Sequence, residues 1–184
     1  MSSPAKAPAA AKRTSLSMME KKSVLDTKTL AEAQQLADDT TSQQIVDLVS
    51  HLQSPSHLDE AVSDLVDRMV ALEVVLRTPP SISAPDALEK AKMTRGLICR
   101  LARESAVIET LASVVVGDQH NGVALLTQRC LFILANLASE EVDPEHCKMT
   151  RAKIGQTGLL DKLIRFLSGP CYEAKVHAIA TLLH

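Results

Sequence analysis

The 184-residue chain predicts an all-α fold in which helical units stack on one another as an α-solenoid, behind a disordered N-terminal tail. Three observations carry that prediction. Apolar residues recur with a helical period from about residue 28 onward, and no alternating β-branched stretch is bounded by turns. The tetrapeptide Lys92-Met93-Thr94-Arg95 recurs letter for letter as Lys148-Met149-Thr150-Arg151. After each copy come, in the same order, a further helical stretch, a short apolar helix ending in Gly, and a longer amphipathic helix.

In chain order, residues 1–22 carry Lys6, Lys12, Arg13, Lys21 and Lys22 against Glu20, a balance of +4, with no hydrophobic period. Such a segment cannot bury enough apolar surface to offset the entropy of ordering it, so residues 1–27 form a disordered basic tail. The remainder holds 15 basic and 21 acidic residues, or -6. Arg13-Thr14-Ser15 suits a kinase that prefers basic residues upstream. A transit peptide is the alternative for the tail, but Pro4 and Pro8 interrupt any amphipathic helix there.

The helical domain spans 28–184, in units of about 28–77, 85–139 and 143–184. In the first, Ile45, Leu48, Val49 and Leu52 lie at i, i+3, i+4, i+7, and Leu58, Ala61, Val62, Leu65, Met69 and Leu72 repeat that spacing. Ser54 and Ser56 between them are candidate helix caps. Thr78-Pro79-Pro80-Ser81 and Pro85 close the unit. In the second, Ile108, Leu111, Ala112 and Val115 form the stripe of Val107 to Gly117, followed by a helix over 122–139. In the third, Leu160, Leu163, Ile164 and Leu167 form the buried stripe of Leu159 to Gly169. Pro170 then stops that helix before the last one begins at 171.

Leu111 matches Leu163, Val115 matches Leu167 and Gly117 matches Gly169. A weaker copy, Ile45 to Pro55, places Leu48, Leu52 and Pro55 in the same register. From Leu48 to Leu111 is 63 residues and from Leu111 to Leu163 is 52, which places an insertion around the Pro79-Pro80 to Pro85 loop. The last helix ends without a Gly or polar cap, so the expectation is a piece of a longer array, or an end that docks on another subunit.

Composition excludes several functions. With 46% apolar and 23% charged residues the chain can bury about 70% of its unfolded surface. No run approaches the roughly 18 apolar residues of a spanning helix. Two Phe, one Tyr, no Trp and a net charge of -2 are poor equipment for nucleic acid. Cys99, Cys130, Cys147 and Cys171 form no CxxC, and no secretory signal precedes them. They indicate a reducing compartment, the cytoplasm with the nucleus as alternative, and Cys99 and Cys130 read as small buried hydrophobes.

No phosphate loop, dinucleotide fingerprint, HExxH or GxSxG is present, so the sequence reads as a non-enzyme with no cofactor and no small-molecule substrate. His146-Cys147 with Cys130 and Cys171 lacks the spacing of a zinc site. Asp38-Asp39 and Glu140-Glu141 read as solvated acids. Gly155-Gln156-Thr157-Gly158 has the spelling of an RNA-clamping loop, but it lies between two helices, where Gly serves the turn.

The segment Leu131 to Ser139 (LFILANLAS), a polar loop, Ile154 to Leu167 (IGQTGLLDKLIRFL) and then Pro170 to Leu183 resembles the armadillo repeat family. Its three-helix unit has a third helix ending in apolar-Asn-Leu-Ala and a short first helix leading through Gly into a Leu-rich second. The likeness covers 120–184 best, then 87–117, then 42–77, with units longer than the family's 40–47 residues. The resemblance implies a right-handed solenoid with a concave surface lined by successive third helices. It further implies a scaffold that binds an extended or helical segment of another protein.

In peptide-gripping members the third helix presents a Trp and, four residues on, an Asn. Phe132 and Asn136 have that spacing here, with Ala180 and His184 at the matching places in the third unit and Leu65 and Met69 in the first. The clamp is therefore not repeated as a ladder, which argues against nuclear-import cargo. Candidate partner-binding residues are Asn136, Phe132, Arg129, Gln128 and Arg95. Alternatives are a chaperone-regulating nucleotide-exchange factor, or the non-catalytic N-terminal part of a larger enzyme or complex.

Overall fold

The computed structural model describes residues 30–79 and 85–183. The basic tail with its Arg13-Thr14-Ser15 motif and transit-peptide alternative, residues 80–84 of the proline turn, and His184 lie outside the described residues. Among the described residues there are nine helices and no strand, so the fold is all-α. They are α1 (Leu30–Asp39), α2 (Ser42–Leu52), α3 (Leu58–Arg77), α4 (Pro85–Glu104), α5 (Val107–Gly117), α6 (Leu125–Ala138), α7 (Cys147–Gly155), α8 (Leu159–Ser168) and α9 (Tyr172–Leu183).

Local chemistry sets the ends of these helices. Thr41 and Gln44 form a capping box at the start of α2: the Thr41 hydroxyl accepts from the Gln44 N–H at 3.2 Å, and the Gln44 side chain accepts from the Thr41 N–H at 2.8 Å. Pro85 opens α4 in the first turn, where a missing N–H breaks no intrahelical bond and the fixed φ of the ring suits the helix. Gly158 turns α7 into α8 through a left-handed φ of 73°. Ser54 and Ser56 do not cap α3. Their hydroxyls face each other at 3.0 Å and His57 takes the cap position without a side-chain bond, because the tight turn at Pro55 points both serines at one another.

Packing follows chain order with a period of three. α1 packs on α4 and α4 on α7; α2 packs on α5 and α5 on α8; α3 packs on α6 and α6 on α9. Among the described residues no extensive contact joins α1–α3 to α7–α9. α6 is central: it touches α3, α5, α7 and α9, and eight of its 14 residues are buried. One continuous apolar core runs from Ala37 to Ala178, including Leu72, Ile108, Leu131, Leu134, Leu159 and Phe166. The repeated tetrapeptide keeps one pattern in both copies: Thr94 and Thr150 are buried, Arg95 and Arg151 half-buried, and Met93 and Met149 are 70% and 63% exposed.

Two expectations are corrected here. The extra 11 residues between Leu48 and Leu111 are not a loop insertion. α4 is 20 residues long where its counterpart α7 is nine, while the connecting stretches 78–84 and 139–146 are nearly equal. The polar, helix-favouring run Asp86 to Lys92 propagates α4 backward from its apolar stripe. In α8 only Leu163 of the expected stripe is buried, together with Leu159 and Phe166. Leu160, Ile164 and Leu167 face outward, because no neighbour among the described residues covers that side.

Cations from one set of three helices tie down helix ends of the previous set. The Lys90 ammonium of α4 donates to the Asp38 carbonyl at the end of α1. Lys153 of α7 donates to the Arg103 and Ser105 carbonyls at the end of α4, at 2.8 and 2.7 Å. Lys162 of α8 donates to the Asp118 carbonyl beyond α5, and Arg151 Nε donates to the Ala138 carbonyl of α6 at 2.8 Å. Each tie satisfies a carbonyl that has no partner within its own helix and places positive charge at the negative end of the dipole. Arg103 and Asp143, both nearly buried, form an ion pair that anchors the α6–α7 loop on α4.

The α5–α6 loop is held by Asp118, whose carboxylate accepts from the His120 N–H at 2.6 Å and the Gly122 N–H at 2.8 Å. Burial alone would raise the Asp118 carboxyl. The bonds from His120, the Thr127 hydroxyl and Gly122, with the nearby Lys162 charge, outweigh it and hold the group below the ordinary value. Gly122 has a φ of +83°, and a Cβ there would lie 2.4 Å from the Ala174 Cβ of α9. Gly122→Ala is therefore expected to cost about 2–3 kcal/mol, from overpacking and left-handed strain together, read as a lowered melting temperature. In an Ala174→Gly background the cost should shrink to the strain alone; an equal cost in both backgrounds would refute the contact.

Candidate partner-binding groove

On α6, Leu125, Gln128, Arg129 and Phe132 follow one another at i, i+3, i+4 and i+7 and therefore share a face. On α3, Ser63, Val66 and Asp67 do the same. Because α3, α6 and α9 lie side by side, these two faces meet Glu173 of α9 around a groove of about 470 Å³. The groove thus crosses three consecutive long helices.

Phe132 is half-buried and meets the His177 ring of α9 edge-on, with centroids 5.9 Å apart at 85°. Burial holds the His177 imidazole below its ordinary value, with Glu173 one turn away opposing the shift in part. Arg129 is half-buried and has no hydrogen-bond or ion-pair partner among the described residues. Gln128 is already engaged: its Nε2 donates to the Gly122 and Val123 carbonyls at 3.2 and 3.1 Å, and lies 3.6 Å from the Cys171 Sγ. It steadies the loop at the groove's edge.

Asn136 lies one turn beyond Phe132 and donates Nδ2 to the Phe132 carbonyl at 2.8 Å, leaving Oδ1 and one N–H for a ligand. Arg95 lies half-buried on α4 and is not among the residues that line the groove. Three of the five sequence candidates are thus brought together, one adjoins them and one does not. Leu65 and Met69, counted as the first unit's counterparts of Phe132 and Asn136, are core residues. α3 turns Ser63, Val66 and Asp67 to the groove instead, since its extra length shifts the register. Glu173 escaped the sequence reading, although the register matching Ala180 to Phe132 also matches it to Leu125.

A second recess, between α5 and α7, is lined by Glu109, Ser113 and Lys153 among others. Lys153 is occupied there by its two carbonyls and by Glu109 at 3.2 Å, so the recess offers no uncommitted cation. Neither a family model, nor a curated protein, nor a solved structure matches the chain.

Two measurements follow from this electrostatic picture. Burial pushes the Cys99 and Cys130 thiols up to about 12, and Cys147 is buried as well, whereas half-buried Cys171 reaches the groove edge and donates to Glu173 at 3.5 Å. A thiol reagent should label Cys171 first and the other three only on unfolding; prior labelling of Cys99 or Cys130 in native protein would contradict the packing. For His177 the folded value lies below 6.5, so the unfolded chain takes up the proton first and stability is lost as pH falls below 6.5. His177→Gln should flatten that part of the stability-against-pH curve in chemical denaturation, while an unchanged slope would show that His177 stays hydrated.

Proposed function

We propose that the chain is a right-handed α-solenoid of three armadillo-like units, α1–α3, α4–α6 and α7–α9, and that it is a non-enzymatic binding module. Its ligand is an extended or helical segment of another protein held along α3, α6 and α9. One observation carries the proposal. Consecutive third helices turn a common face to one groove, which offers an aromatic edge at Phe132 and, at Arg129, a guanidinium with no hydrogen-bond or ion-pair partner among the described residues.

The chemistry supports a polypeptide ligand over a small molecule. The groove is shallow and mixed, with Asp67 and Glu173 near Arg129, and apolar contact limited to Val66, Leu125 and Phe132. An extended segment can satisfy such a surface by alternating side chains and backbone groups along its length. Arg129 can fork onto a carboxylate or backbone carbonyls, and Asn136 has one acceptor and one donor free to meet a peptide group. Four free cysteines, three of them buried, suit a reducing compartment, for which the cytoplasm is proposed.

Site-specific photo-cross-linking tests this directly, with the photoreactive residue at position 129 or, as control, at exposed Met93 on α4. Partner cross-links should form from position 129 and not from 93. Arg129→Glu should weaken binding of the recovered partner at least tenfold with little change in melting, because the side chain has no partner to lose among the described residues. Asn136→Ala separates contact from structure: weaker binding at unchanged melting assigns it to the ligand, and lower melting at unchanged binding assigns it to its bond with Phe132. Equal cross-linking from both positions, or full affinity in Arg129→Glu, would overturn the groove.

A further inference from the structure

The outer side of α8 and α9 is a bare apolar face in a molecule that elsewhere covers its stripes. Leu160, Ile164 and Leu167 of α8 are 45%, 57% and 38% exposed. Their register counterparts are Ile108, Ala112 and Val115 in α5 and Ile45, Val49 and Leu52 in α2, and all six are buried. On α9, Ile179, Leu182 and Leu183 are exposed where the matching Leu131, Leu134 and Ala135 of α6 are buried. α5 and α6 have α8 and α9 against them; α8 and α9 have no counterpart among the described residues. At the opposite end, Val46 alone is exposed among the large apolar side chains described in α1–α3.

We infer that the α8–α9 face is a docking surface for another three-helix unit of the same build, stacked on α8 and α9 as these are stacked on α5 and α6. Like positions are covered by like helices twice within the chain, and the third instance carries the same aliphatic residues in the same register. The occupant therefore presents an aliphatic stripe at i, i+4, i+7. At the α5–α8 junction Lys162 adds a tie to the Asp118 carbonyl beyond α5, where the α2–α5 junction has Thr110 at the matching place. This rests on the stacked-unit reading of the architecture but not on the groove, which lies on a different face.

The probe is the chain extended after His184 by a second copy of its own residues 137–184, which continues the register because His184 stands where Asn136 stands. Hydrogen exchange at α8 amides should slow at least tenfold in the extended chain, and fluorescence of an apolar dye bound to the parent chain should fall. Ile164→Asp with Leu167→Asp should cancel both changes in the extended chain. In the parent chain the same pair should leave melting within a few degrees and groove binding intact, which keeps failure of this face distinct from failure of the groove. Unchanged α8 exchange on extension would overturn the inference. So would a parent chain that sediments as a dimer dissociated by the two substitutions, since a second copy would then be the occupant.

Discussion

The structure depends on a constraint that α6 makes plain: a helix apolar on several sides cannot be satisfied by one neighbour. Leu131, Ile133, Leu134 and Leu137 are all removed from water, and at helical spacing they lie on more than one side of α6, which touches α3, α5, α7 and α9. Each such side chain contributes about 1.5–3 kcal/mol when buried, which sets the scale of the penalty for losing a neighbouring helix. Burial by itself is not directional. The lysine and arginine ties to helix ends supply direction, since a cation meets a particular carbonyl only when the following helices sit in one register.

That division of labour also shapes the groove. α3, α6 and α9 are held by their buried faces, so the residues they turn outward are free to vary in chemistry without cost to the core. Within the groove the side chains differ in freedom. Gln128 and Asn136 hold backbone carbonyls of their own surroundings, whereas Arg129 does not, and Phe132 is fixed by the His177 ring rather than by deep burial. The groove is thus partly preorganised, with Gln128, Asn136 and Phe132 held and Arg129 without a hydrogen-bond or ion-pair partner among the described residues.

Much of the helical pattern is legible in the sequence, and the departures have physical reasons. Val107 to Gly117 coincides with α5, and the stripe from Leu58 to Leu72 lies within α3, because an apolar period bounded by Pro or Gly leaves few other solutions. Periodicity states which residues share a face but not whether anything covers it, which is why Leu160, Ile164 and Leu167 read as core. Spacing arithmetic finds 11 extra residues but cannot say whether they coil or extend a helix, and in α4 they extend it. Groove residues on α6 are visible because Phe132 and Asn136 have a recognisable spacing. Those on α3 are not, since a count carried across helices of unequal length slipped off the correct face.

The contact pattern has a further consequence for how the molecule comes apart. Because no extensive contact joins α1–α3 to α7–α9 among the described residues, most of the packing between the two ends runs through α4–α6, and the proposed stacked units would make the free energy closer to a nearest-neighbour chain than to a single all-or-none block. Melting then begins by fraying from whichever end is less well covered. Loss of the Arg103–Asp143 pair, which ties the α6–α7 loop to α4, would therefore loosen the α7–α9 end before the α1–α3 end.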